Sequence, residues 1–97
     1  MIQPIFKWNG NLFAFMQNDN LFSQSGEYIG WIENNEIFDR NGIYKGEIYS
    51  NDYAVRNTNK SLPNKIARIP AMNIMAPIPP INRIGNIEMM GYCEIQW

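Results

Sequence analysis

Three copies of a 16-residue unit occupy the first half of this 97-residue chain. The pairs Ile5-Phe6, Leu21-Phe22 and Ile37-Phe38 recur at that spacing, and four residues after each aromatic stands a glycine, Gly10, Gly26 or Gly42. A large side chain follows (Leu12, Tyr28, Tyr44), then a small one (Ala14, Gly30, Gly46), then an apolar one (Met16, Ile32, Ile48) and a polar run. A fourth copy starts at Tyr53-Ala54 and fades at Thr58, where a glycine is expected. Repetition at a fixed period marks one supersecondary unit packed on copies of itself. Asn9-Gly10 and Asn41-Gly42 tolerate positive φ at both centres of a type I′ turn, and Ser25-Gly26 is a weaker relative. Each unit therefore reads as a β-hairpin.

With the turns centred on those dipeptides, residue 7 faces 12 and residue 5 faces 14, and opposite residues share a face. Ile5, Leu12, Ala14, Met16 and their equivalents then form the core face, and the recurring Ala or Gly leaves a notch for a neighbouring backbone. The other face runs from Phe6, Trp8, Phe13 and Phe15 through Phe22, Ile29 and Trp31 to Phe38, Lys45 and Glu47, so it begins apolar and ends charged. Burying one such aromatic is worth about 1.5–3 kcal/mol, against a whole stability of about 5–15 kcal/mol for a small domain. These side chains need cover, from the later part of the chain, from a partner subunit or from a ligand. Phe6, Trp8, Phe13, Phe15, Phe22 and Trp31 are the candidate interaction surface.

Glu27-Tyr28-Ile29-Gly30-Trp31-Ile32 and Ile37-Phe38-Asp39-Arg40-Asn41-Gly42, followed by a proline-containing tail, resemble the 4-fold beta flower domain of bacterial proteins. The resemblance covers residues 5 to 58. It implies an all-β module of short repeated hairpins, with no catalytic residues to carry over. The tail is less proline-rich than that family's pattern, which bears on its role as a plain spacer. The Tyr-Asp repeats of large bacterial toxins share the look of Phe38 to Gly42 but have a longer unit.

Residues 53 to 86 change character, with Arg56, Lys60, Lys65, Arg68 and Arg83 and no acid, whereas residues 1 to 52 hold seven acids against three bases. A basic strap lying over an acidic repeat sheet, in the same chain or a neighbour, is the expectation. Pro63, Pro70, Pro77, Pro79 and Pro80 exclude a long helix or a central strand, because proline lacks the N–H donor and fixes φ. The segment should run extended and partly polyproline-like. Its Ile66, Ile69, Met72, Ile74, Met75, Ile78, Ile81 and Ile84 are too apolar for a solvated linker and are expected to pack. The last eleven residues alternate, with Ile87, Met89, Gly91, Cys93, Ile95 and Trp97 on one side, the pattern of a strand. Cys93, on the apolar side, reads as a buried thiol.

The expected architecture is all-β: three full hairpin repeats and one partial copy over residues 1–58 forming a small meander or flower-like sheet, an extended basic proline-containing segment over 59–86, and a C-terminal strand over 87–97, together one domain. With no histidine and one cysteine, the chain lacks an internal disulfide, a multi-cysteine zinc site and most familiar catalytic arrangements. Glu33, Glu36 and Asp39 sit in or beside turns, where they serve loop geometry. No active site, cofactor or metal is expected. Five spread-out bases make a poor phosphate track, so nucleic acid is not an expected partner. No window approaches a membrane span and no basic-then-apolar leader opens the chain, so a cytoplasmic protein is expected. The apolar surplus points to a self-associating structural or scaffolding module, a homo-oligomer. The alternative is a small-molecule site for glycan or peptidoglycan fragments on recurrent aromatics such as Trp8, Trp31, Tyr28 and Tyr44.

Overall fold

A computed structural model describes residues 2–58, 60–87 and 90–97. Eight strands follow one another in chain order: β1 (Gln3–Lys7), β2 (Leu12–Gln17), β3 (Asn20–Phe22), β4 (Tyr28–Glu33), β5 (Glu36–Asp39), β6 (Tyr44–Tyr49), β7 (Tyr53–Asn57) and β8 (Tyr92–Glu94). Each pairs antiparallel with the next, and β1 also pairs parallel with β7 through Phe6 and Tyr53. The first seven strands therefore close on themselves, which removes the open edges that small sheets otherwise expose. The fading fourth repeat has a physical counterpart: β7 finds its partner in β8, where Val55 pairs with Glu94 and Asn57 with Tyr92. The expected terminal strand is shorter than the alternation from 87 to 97, and its Glu88 and Met89 lie outside the described residues. Cys93 is exposed, a correction to the buried thiol expected from the alternation, and it is Ile95 that enters the core.

The turns come in two kinds, and the type I′ pairs are not the glycine ones. Asn18-Asp19, Asn34-Asn35 and Ser50-Asn51 hold positive φ at both centres, the signature of a two-residue I′ loop. At the glycine turns only the glycine is positive, Gly10 at 94°, Gly26 at 90° and Gly42 at 87°. Gly10 N–H donates to the Lys7 carbonyl and Lys7 N–H to that of Asn11, with the same pair of bonds at Ser23 to Glu27 and Asp39 to Ile43. This is a three-residue loop with a glycine bulge, and it shifts the register by one. Ile5 still faces Ala14, but Phe6 faces Leu12, Phe22 faces Tyr28 and Phe38 faces Tyr44.

That shift corrects the face assignment. Leu12, Tyr28 and Tyr44 join the aromatic face and Phe13 and Ile29 leave it, packing with Met16 and Ile48 against the buried core of Ile5, Ala14, Leu21, Ile32, Ile37, Ala54 and Ile95. The small residues are small because a backbone lies against them: a Cβ on Gly30 would collide with the Phe38 carbonyl, and one on Gly46 with that of Val55.

Candidate interaction surface

Between β7 and β8 the described residues form no strand or helix, yet their course is fixed by the glycine turns. Lys65 N–H donates to the Gly42 carbonyl, Ile74 N–H to Gly26 and Arg83 N–H to Gly10, each at 2.8 Å. The tail thus visits the hairpins in reverse order, one every nine residues. A Cβ on any of these three glycines would strike the carbonyl of the same tail residue, so their bareness serves both the turn and this contact. Asparagines at the nine-residue spacing add a second tie: Asn73 Oδ1 accepts from Tyr28 N–H at 2.9 Å and Asn82 Oδ1 from Leu12 N–H at 3.1 Å. The circuit closes where Thr58 N–H donates to the Gly91 carbonyl at 2.7 Å.

Inward-facing cations of the tail cap the aromatic face. Arg83 lies 4.0 Å from the Phe6 ring centroid, Arg68 4.9 Å from Trp31 and Lys65 5.0 Å from Phe38, within cation–π range. Each cation also meets an acid of the hairpins. Lys65 and Arg68 both bond Glu33, Arg83 Nη2 lies 2.8 Å from Asp52, and Lys60 Nζ lies 2.7 Å from Glu36. The hydrogen bond from Lys65, helped by Arg68 and by the charges of both, holds the Glu33 carboxyl below its ordinary range. The Glu36 carboxylate holds the Lys60 ammonium above its own. Asp39 has the loop role expected of it, its Oδ1 accepting from Asn41 and Ile43 N–H at 2.8 and 3.1 Å.

The remaining side of the tail is apolar and bare. Every third residue from Ile66 to Met90 is Ile or Met, nine in all, and each is between 89% and 100% exposed. Three residues per turn is the period of the polyproline II helix. Two of its three ridges are spent on the hairpins, through the Asn73 and Asn82 side chains on one and Ile74 and Arg83 on the next, so the third must face away. The expected packing of the tail's isoleucines is corrected accordingly: Ile74 is half-buried, but Ile66, Ile69, Met72, Met75, Ile78, Ile81 and Ile84 are not. The signal was present in the sequence as an unbroken three-residue period and as Asn64, Asn73 and Asn82 nine apart.

The stripe is a belt. Over the described residues from Lys60 to Ile87 the chain advances 27 residues, about 84 Å at roughly 3.1 Å each, which is about three quarters of the circumference of a circle about 35 Å across. The molecule measures 36 × 34 × 18 Å. The tail is therefore its perimeter, and the aliphatic ridge points outward from the rim.

The six aromatics marked from sequence are mostly inside. Phe6, Phe15, Phe22 and Trp31 are no more than 2% exposed, covered within the chain, so they form no accessible surface. Phe13 is half-buried beside Trp97, with ring centroids 5.5 Å apart. Trp8 is also half-buried. It packs edge-on against Tyr49 and Tyr53 at 5.5 and 5.1 Å, and its Nε1 donates to the Ile87 carbonyl at 2.7 Å. Trp8 borders a cleft of about 310 Å³ with Asn9, Val55, Asn86, Tyr92, Cys93 and Glu94, where Glu94 Oε1 is buried without a partner. Tyr28 and Tyr44 have hydroxyls buried without partners, and burial pushes both up from the ordinary tyrosine value. Neither is a platform for a ligand. Among the described residues no group of three or more His, Cys, Asp and Glu is placed to hold a metal ion, and no helix is long and apolar enough to cross a membrane.

No curated protein and no solved structure matches the chain. A family model, described as 4-fold beta flower protein, matches residues 2–90, which takes in the hairpins and the tail as far as Met90. Closed hairpin repeats, the circuit that binds them and that match together place this chain in the 4-fold beta flower family.

Proposed function

We propose that this domain is a non-catalytic structural module that works by self-association, its perimeter belt being the contact surface. The observation that carries the reading is the belt itself. Soluble monomers rarely expose contiguous apolar patches beyond a few hundred Å², and nine aliphatic side chains at about 60–120 Å² each offer about 500–1,100 Å². Because the stripe runs round the rim, that area is shared among several contacts, each smaller than the roughly 800 Å² per partner of a standard interface. The belt is also expendable for folding, since its side chains touch almost nothing in the chain. Size-exclusion chromatography with light scattering tests the reading: masses above one chain that rise with concentration support it, and a clean monomer up to millimolar concentration contradicts it.

A second reading, a site for glycan fragments, is favoured by the cleft at Trp8. Its two rings, two amides and one carboxylate with an unpaired buried oxygen are suited to stacking on a sugar and bonding its hydroxyls. Quenching or a shift of tryptophan emission in titrations with peptidoglycan fragments, lost in Trp8→Ala, is the expected result. Unchanged emission throughout rules this reading out.

A further inference from the structure

We propose that the belt is a three-sided edge, through which copies of this chain join side by side into flat arrays instead of closing as a pair. This rests on the self-association proposed above and adds its valence and geometry. The turn contacts at Lys65, Ile74 and Arg83 and the return at Tyr92 divide the perimeter into equal nine-residue intervals. Each interval carries one triplet of the stripe, centred on Ile69, Ile78 or Ile87, at 95%, 93% and 90% exposure. The fourth quarter has Asn57, Lys60 and Pro63 at the corresponding positions and no triplet.

One triplet supplies only about 200–350 Å², well short of the roughly 800 Å² per partner that a stable pair needs. A single edge contact is weak, and a lasting assembly must use several edges at once. The stripe suits itself as a partner. Successive stripe residues stand about 9.3 Å apart along a polyproline II helix, a gap that one aliphatic side chain of an antiparallel stripe can enter. Such a contact sets the same patch against itself about a two-fold axis. Three edges around one disc have three different axes, so the contact propagates.

Charge favours a second copy over a lipid surface. The tail's Lys60, Lys65, Arg68 and Arg83, although partly exposed, are each already paired with Glu36, Glu33 or Asp52, so anionic headgroups would have to compete with those carboxylates for them. The stripe also lacks the Trp and Tyr of membrane interfaces.

The test places asparagine at each triplet centre singly, as Ile69→Asn, Ile78→Asn and Ile87→Asn, at two, as Ile69→Asn with Ile78→Asn, and at all three together. Circular dichroism confirms the fold of each, and light scattering and electron microscopy read the assemblies. Wild type should grow with concentration into flat arrays whose repeat is close to the 36 Å width of the molecule. One substitution should reduce these to short chains, two to dimers and three to monomers. A discrete wild-type dimer, abolished by one of the single-centre changes alone, overturns the three-sided edge but leaves self-association standing. A triple variant that assembles like wild type overturns the belt as the interface. A monomeric wild type removes the self-association reading itself, and its flotation with phosphatidylglycerol vesicles would assign the belt to lipid.

Discussion

Gly26 shows how much one position carries. Its φ of 90° is one that a side chain adopts only with strain, and the Ile74 carbonyl occupies the space a Cβ needs. Gly26→Ala should therefore cost about 1–3 kcal/mol, since neither the turn nor the tail contact can absorb a methyl group. Urea unfolding monitored by tryptophan fluorescence measures it, and an unchanged midpoint would show that the tail does not lie on that turn. Glu33 answers a different question, because it receives two cations of the tail. Its carboxyl is held below the ordinary glutamate value, so its contribution is present above that value and fades as the pH falls through the lowered one. Wild type should lose stability as the solution is acidified below about pH 4.5, the ordinary glutamate value. Glu33→Gln should be less stable at neutral pH and show a weaker acid dependence in thermal melts. Equal acid dependence in the two proteins would show that the strap's ion pairs carry no stability.

At the scale of elements, the hairpins and the tail use two periods that must agree, 16 residues per hairpin and nine per tail step. Nine is a multiple of three, so a three-per-turn helix presents the same ridge to each hairpin. Asn73 exemplifies the fit, since its side chain takes the Tyr28 N–H that the bulged register leaves without a strand partner. Asn73→Ala should cost about 1–3 kcal/mol by stranding that donor and speed hydrogen exchange at Tyr28, while the Leu12 amide, held by Asn82, keeps its protection. Loss of protection at both would mean that the tail detaches as a unit. The hairpins were legible in the sequence because a repeated aromatic, glycine and small residue leave few alternatives. Leu12, Tyr28 and Tyr44 went to the wrong face because Asn-Gly serves both an I′ turn and a type I turn with a glycine bulge, and the two differ by one residue of register. The belt was not legible from apolar content alone. Ile74 and Ile78 have the same composition and opposite surroundings, and only the three-residue period separates them.

For the molecule as a whole, the closed sheet solves the problem of strand edges by joining β1 to β7 and giving β7 a partner in β8. The apolar surplus that remains is outside, on the rim, instead of on the aromatic face where the repeat alone would put it. Trp31 and Phe38 stack within the fold at 5.5 Å, capped by Arg68 and Lys65, and the isoleucines of the same tail face outward. Sedimentation velocity on wild type, Ile78→Asn and Ile74→Asn, run beside thermal melts, tests this division most directly. Ile78→Asn should lower the sedimentation coefficient at a given concentration and leave the melting temperature unchanged. Ile74→Asn should lower the melting temperature and leave association intact under conditions where the protein is folded. The reverse pattern, or identical behaviour of the two variants, would contradict an outward belt as the working surface of this protein.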